Sequence, residues 1–196
     1  MFRSFIAAVA GATLLAAAGA AQSATLIYSA SLAGFNEVPP TGSPATGTTV
    51  VADDDIANTL TVHVTFTGLI GGAASAAHIH CCTPVGTSTG VAVGYTGFPA
   101  ATSGTYDNTF DLTSSSIYTS TFLAAHGGTA AGAEAALLTG LANDQAYSNI
   151  HDAVFPGGEI RGFLAIPEPG SWALMIIGAG LAGAALRRRE LALAWD

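Results

Sequence analysis

The chain has 196 residues, of which half are hydrophobic and only 9% are charged, and its formal net charge is −8. Between the two apolar ends, residues 25–166 contain ten acidic residues and a single basic one, Arg161. An acidic surface repels phosphate backbones and anionic lipid headgroups, so we exclude nucleic acid as a partner.

The N-terminal residues 1–24 have the pattern of a secretion signal. Arg3 supplies a positive charge, an apolar run extends from Phe5 to Ala18, and small residues follow. A signal-peptide core needs about 7–15 apolar residues, whereas a membrane-spanning helix needs about 20. We therefore predict a signal helix that is cleaved between Ala21 and Ala24, and export of the chain.

Alternating polarity predicts strands through residues 25–166. The clearest case is 59–67, where leucine, valine and phenylalanine fall on one face and threonines and His63 on the other. The acidic run 53–55 is expected to form a turn before Asn58. Turns rich in Gly, Pro, Asn and Asp separate the predicted strands. The further strands are predicted at 25–32, 90–95, 104–112, 146–152 and 158–165.

The most informative candidate site is the run 78–82, His-Ile-His-Cys-Cys. On a strand, residues two apart point to the same face, so His78 and His80 leave one face together. This spacing suits two nitrogen ligands on one ion, and His151 would supply a third if its strand lies alongside. The alternative is a structural network in which the histidines hydrogen-bond to neighbouring polar groups and fix the strand register.

The adjacent Cys81 and Cys82 leave several interpretations open. On a continued strand, Cys82 shares the face of the histidines, and a thiolate beside imidazoles favours copper, with zinc as second choice. A disulfide between the two is strained, because their Cα atoms are about 3.8 Å apart across a trans peptide and disulfides span about 4.4–6.8 Å. Such a bridge, with Cys81 in a structural role, is nevertheless favoured by export, since free thiols persist poorly outside the cytoplasm. A bond to another chain is the third interpretation.

Polar residues near the end of the segment are expected to support the cluster. Glu159 and Arg161 are two apart, which predicts a partly buried ion pair that locks the last strand. The alternative is that these two residues, together with Asn149, orient the histidines from behind. His63 and His126 are predicted to be surface residues.

Two helical stretches interrupt the strands. The segment 129–143 is rich in alanine and leucine with apolar residues at helical spacing, and Thr129 is placed to cap its start. A shorter helix is predicted within 117–125, before the glycine pair at 127–128. We therefore predict a mainly β fold, an immunoglobulin-like or Greek-key β-sandwich or barrel with one helical crossover.

Residues 167–189 combine three unlike elements in order: Pro167-Glu168-Pro169, an apolar stretch from Ser171 to Leu186, and Arg187, Arg188 and Arg189. The prolines keep the first element extended, the stretch is just long enough to span a membrane, and the arginines stay in the cytoplasm. The arrangement resembles the PEP-CTERM sorting signal, which implies recognition and cleavage by an exosortase. Residues 190–196 extend beyond the arginines, where tails of that family usually stop, and would form a cytoplasmic tail.

Five segments between the two ends, in family order, resemble the CHRD domain, named for chordin and widespread in bacterial secreted proteins. They are Asn-Glu-Val-Pro-Pro at 36–40, Gly-Leu at 68–69, Ala-His-Ile-His at 77–80, Tyr-Ser-Asn-Ile-His at 147–151 and Phe-Pro-Gly-Gly-Glu-Ile-Arg-Gly at 155–162. The resemblance implies an immunoglobulin-like or related β-sandwich over residues 25–166, without a general enzymatic activity. Chordin's binding of bone morphogenetic proteins does not transfer, because the chain lacks chordin's cysteine-rich companion domains.

The sequence thus predicts a non-catalytic module at the cell envelope or outside the cell, transiently anchored with its C-terminus in the cytoplasm. Polysaccharide or another protein is the expected partner on the outside. The alternative function is an extracytoplasmic copper- or zinc-binding protein, with redox activity as a further option, that uses the histidines and Cys82.

Overall fold

The computed structural model describes residues 25–167. The predicted signal helix, the remainder of the sorting signal from Glu168 onward and residues 190–196 lie outside the described residues. Within the described part of the chain, no helix has the length and apolar character needed to cross a membrane.

Eight antiparallel strands form one curled sheet. In chain order they are β1 Leu26–Ala33, β2 Thr46–Asp54, β3 Thr59–Thr67, β4 Ala76–Cys81, β5 Val91–Gly94, β6 Gly104–Asp111, β7 Ala146–His151 and β8 Ile160–Phe163. Across the sheet the order is β5-β4-β7-β8-β1-β2-β3-β6. The mainly β prediction is confirmed. Because β8 pairs with both β7 and β1, all the strands join in one half-barrel, which is closer to the predicted barrel than to the predicted sandwich.

The core fills the inside of the curl. Polar groups link opposite walls, since Thr49 Oγ1 on β2 and the Tyr95 hydroxyl each lie 2.9 Å from Ser148 Oγ on β7. The two sheet edges approach each other through the rings of Tyr95 and Tyr106, whose centroids are 5.3 Å apart. Apolar residues of β3 complete this interior, with Val62 and Val64 fully buried.

The predicted strand at 59–67 coincides with β3, whereas β2 is absent from the sequence-based prediction. Burial alternates along β2, but two of its buried residues, Thr49 and Asp53, are polar. The strand therefore lacks the alternation of apolar and polar residues on which the prediction relied. Asp53 therefore belongs to a strand and only 55–58 form the turn, which corrects the expected position of the acidic run.

The helical segment lies between β6 and β7. Helices α1, Ser120–Ala125, and α2, Ala130–Ala142, begin after Thr119 and Thr129, whose side chains accept a hydrogen bond from the first turn. Two short 3₁₀ turns span Gly34–Asn36 and Ser115–Ile117. Helix α2 packs on the core through Leu137 and Leu141, both fully buried, so the predicted cap and the length of this helix are confirmed.

The C-terminal end of the domain leaves from the middle of the sheet, because β8 lies between β7 and β1. After β8, Ala165 exchanges two backbone hydrogen bonds with Ser29 of β1, with N–O distances of 2.8 and 3.1 Å. Pro167, the first residue of the predicted sorting signal, follows at the surface.

Candidate metal centre

The candidate site lies on the outer face of β4, β7 and β8. His78 of β4 is directly opposite Asn149 of β7, which is directly opposite Arg161 of β8. Because side chains alternate along a strand, residues at even spacing from these share the same face. This places His80, Tyr147 and His151 beside them, while Ile79, Ile150 and Ile160 fill the core behind.

The three histidines converge as the sequence predicts. One ring nitrogen from each of His78, His80 and His151 lies within 4.8 Å of the others. His78 Nδ1 donates a hydrogen bond to His151 Nε2 at 3.2 Å, and this separation is close to the distance of about 3.3 Å between two nitrogens on a tetrahedral zinc ion. Small side-chain movements would therefore bring all three nitrogens to one ion.

Backbone carbonyls fix the tautomers of two of these rings. His80 Nδ1 lies 2.8 Å from Thr89 O, and His151 Nδ1 lies 3.0 Å from Pro156 O. A carbonyl oxygen only accepts, so both Nδ1 atoms donate and both Nε2 atoms carry a lone pair. Hydrogen bonds from the non-ligating nitrogen are the usual way in which proteins orient metal-binding imidazoles.

All three imidazoles favour the neutral form. Burial, with smaller effects of His151 and His80, lowers the pKa of His78 to about 4. Burial also lowers the pKa of His80 and of His151. Neutral imidazole is the form that binds metal ions, so the cluster is prepared for a cation at neutral pH.

Buried polar residues lie beside the histidines on the same face of the sheet. Asn149 donates from Nδ2 to Glu37 Oε1 at 3.2 Å, and Arg161 Nε lies 3.7 Å from Glu37 Oε2 and 2.6 Å from Asn36 O. Burial raises the pKa of Glu37 to about 7, with Arg161 and the Asn149 hydrogen bond opposing it. The buried partner of Arg161 is therefore Glu37.

This arrangement corrects the predicted pairing of Glu159 with Arg161. Glu159 precedes β8 and turns toward the 69–71 loop, where its carboxylate accepts from Ile70 N at 2.8 Å and Gly71 N at 3.2 Å. Ser43 Oγ donates to the same carboxylate at 2.5 Å. Glu159 therefore connects two loops by hydrogen bonds and does not contact the histidines.

Cys82 does not join the histidines. It forms a disulfide with Cys81, and both sulfurs face the Ala136 carbonyl of α2. Strand β4 ends at Cys81, so the continued strand that would have aligned Cys82 with the histidines is absent. Among the His, Cys, Asp and Glu side chains of residues 25–167, the set that converges is His78, His80 and His151.

Two residues at the site have no role in the sequence-based prediction. Tyr147 stacks on the His80 ring at 4.6 Å between centroids, and the Arg161 guanidinium lies 4.7 Å from the same tyrosine ring. Glu37 is the other. Its place in the Asn-Glu-Val-Pro-Pro segment at 36–40 was the available signal, but its contact with Asn149 spans 112 positions.

His63 pairs with Asp107 at 2.5 Å on the exposed face of β3, away from the cluster.

Comparison with known proteins gives two matches along the chain. Residues 28–164 match the family model of the CHRD domain, and residues 165–189 match the PEP-CTERM protein-sorting motif. No curated protein and no solved structure matches the chain.

Proposed function

Since the chain belongs to the CHRD domain family and carries a PEP-CTERM sorting motif, it is an extracytoplasmic, sorted surface protein, and we propose that its domain binds one copper or zinc ion. The proposed ligands are His78, His80 and His151. This is a binding function and requires no catalytic residue.

The metal-binding proposal rests mainly on one observation, the unpaired nitrogen Nε2 of His80. This atom is buried and has no hydrogen-bond partner among residues 25–167. A buried polar atom left unpaired costs about 1–3 kcal/mol. A cation shared with His78 and His151 would offset that cost, whereas a purely structural histidine network leaves it in place.

A second candidate function is a surface module that engages polysaccharide or another protein. A groove of about 390 Å³ between the 37–41 and 154–158 loops supports it. Val38 and Val154 line this groove with about half or more of their surface exposed. Exposed apolar side chains grouped in one groove are typical of recognition sites.

Metal titration distinguishes the two functions. We expect chelator-treated protein to bind about one Cu(II) or Zn(II) ion per chain by isothermal titration calorimetry. His78→Ala and His80→Ala should abolish this binding. His63→Ala is the matched control, because His63 lies on the exposed face of β3 with Asp107, and it should bind as the wild type does. If the wild type binds neither ion, the histidines form a structural network and the second candidate stands.

The sorting motif also implies an exosortase-type processing enzyme as a partner. We propose cleavage at both ends of the chain during sorting. Intact-mass analysis of envelope material should show loss of the first 21–24 residues, and loss of the tail in a host that contains an exosortase. Retention of residues 1–18 on the mature protein would contradict the signal-peptide assignment.

A further inference from the structure

Asn149 lies beside the three histidines, on the same face of the sheet. It is opposite His78 in the pairing of β4 with β7, it shares the histidines' face, and it is 1% exposed. Its Oδ1 atom is buried and, within the described part of the chain, has no hydrogen-bond partner. A carbonyl oxygen in this position is costly unless a donor or a cation fills the space in front of it.

The neighbouring His80 cannot satisfy this oxygen in its neutral form. The Nδ1–H of His80 is committed to Thr89 O, so Nε2 presents a lone pair. Asn149 Oδ1 presents lone pairs as well, and two acceptors repel rather than bond. A cation satisfies both atoms at once.

The orientation of the Asn149 amide is fixed from the other side. Nδ2 donates to Glu37 Oε1 at 3.2 Å. Glu37 is in turn held near Arg161. A Cβ atom at Gly158 would overlap both Asn149 Nδ2 and Glu37 Oε1, so only glycine lets the 155–158 turn close over this pair. The amide nitrogen therefore faces Glu37 and the oxygen faces away from it.

We propose that Asn149 Oδ1 is the fourth ligand of the ion, which completes a set of three imidazole nitrogens and one neutral oxygen. The proposal rests on the metal-binding function proposed above and deepens it. Thiolate and thioether ligands select Cu(I), whereas amide oxygen is a harder ligand that suits divalent ions. The site is therefore selective for Cu(II) or Zn(II) over Cu(I), and the oxygen of Asn149 takes the position that the sequence suggested for the sulfur of Cys82.

The test compares Cu(II) and Cu(I) binding by the full chain and by two variants of Asn149. Asn149→Leu removes the oxygen and should weaken Cu(II) binding at least about tenfold while changing Cu(I) affinity less than about twofold. Asn149→Asp keeps the shape and supplies an anionic oxygen, so the Cu(II) electron paramagnetic resonance spectrum should shift. Asn108→Asp, on β6 and away from the histidines, is the matched control and should leave affinity and spectrum unchanged.

Each outcome decides the proposal. Equal loss of Cu(II) and Cu(I) binding in a folded Asn149→Leu variant would show a structural role and overturn it, as would an unchanged Cu(II) affinity. If Asn149→Leu does not fold, Asn149→Asp decides: a shifted spectrum supports ligation and an unchanged one overturns it. Binding by the wild type with unchanged spectra in the variants overturns this inference alone, whereas no binding by the wild type overturns the metal-binding function with it.

Discussion

His78 Nδ1 lies 3.2 Å from His151 Nε2, although 73 positions separate the two residues in the chain. The contact exists because β4 and β7 pair with Ala76 opposite His151, which leaves His78 diagonally adjacent. Both helices and the strands β5 and β6 are inserted between these two partners in the sequence. The cluster therefore assembles only when β4 and β7 have paired.

One pair of substitutions tests which side chains of β3 point to the core and which point to solvent. Val64 is fully buried, so Val64→Asn should lower the free energy of unfolding by a few kcal/mol, because an unpaired amide replaces packed methyl groups. Thr65 is half-buried on the opposite face and bonds to Thr48 across the sheet, so Thr65→Asn should cost about 1 kcal/mol or less. Urea denaturation measures both. Equal losses would contradict the assignment of the two faces.

Arg161 should be one of the most sensitive positions of the domain. Arg161→Met removes the cation near Glu37 and the donor to Asn36 O, which leaves a buried carboxyl group and a backbone carbonyl without this partner. We expect a loss of about 3–5 kcal/mol in the free energy of unfolding, measured by denaturant titration.

The matched control for Arg161 is the pair of His63 and Asp107 on the outer face of β3, where both side chains are largely exposed. His63→Ala should change stability by less than about 1 kcal/mol. Similar losses of stability in Arg161→Met and His63→Ala would show that burial does not determine how much the Arg161 contacts stabilise the fold.

Glu37 should make stability depend on pH. Its pKa is raised by burial from 4.5 to about 7 in the folded protein, so the folded state holds a proton that the unfolded state has released between those values. Stability therefore falls as pH rises from about 4.5 to 7, by at most about 1.4 kcal/mol per pH unit. Glu37→Gln should flatten the curve in this window, as measured by urea denaturation of the metal-free protein. Parallel wild-type and variant curves would contradict the raised pKa.

Gly140 should resist the substitution that usually favours helices. In α2, alanine is better than glycine by about 1 kcal/mol, but a Cβ atom at Gly140 would overlap Cys81 Sγ and crowd Cys82 Sγ. Because overpacking costs about 1–3 kcal/mol or more, we expect Gly140→Ala to lower the melting temperature. Gly90→Ala is the control, since a Cβ there meets open space. A stabilised Gly140→Ala variant would contradict the close packing of α2 on the disulfide.

Local periodicity explains which parts of the fold the sequence predicts. The strand at Thr59–Thr67 and the helix at Ala130–Ala142 follow from apolar spacing and a capping threonine, both of which act within a few residues. Whether strands form one sheet or two depends on the pairing of β8 with β1, which joins the two ends of the domain. No short-range pattern encodes that pairing, so the sequence could not decide between a sandwich and a barrel.

The candidate site divides in the same way. The spacing of His78 and His80 predicts a shared face, and the pairing of β4 with β7 brings His151 to it. The error concerns Cys82, because the strand ends one residue earlier and the disulfide turns both sulfurs toward α2. Glu37 was missed because its contacts with Asn149 and Arg161 arise from loops folded over the outer face of the sheet, and such packing leaves no periodic trace in the sequence.

The exit of the chain beside Ser29 has a mechanical consequence. A protein held at the surface by its C-terminal end receives any pulling force through Ala165, which is hydrogen-bonded to β1, and then through β8. Strand β8 is flanked by β7 on one side and β1 on the other, so the load is shared between two neighbours instead of peeling a strand from the rim. The strands at the rim, β5 and β6, lie outside this line of force. A pulling force on the C-terminal end would thus reach the middle strands of the sheet before the strands at its rim.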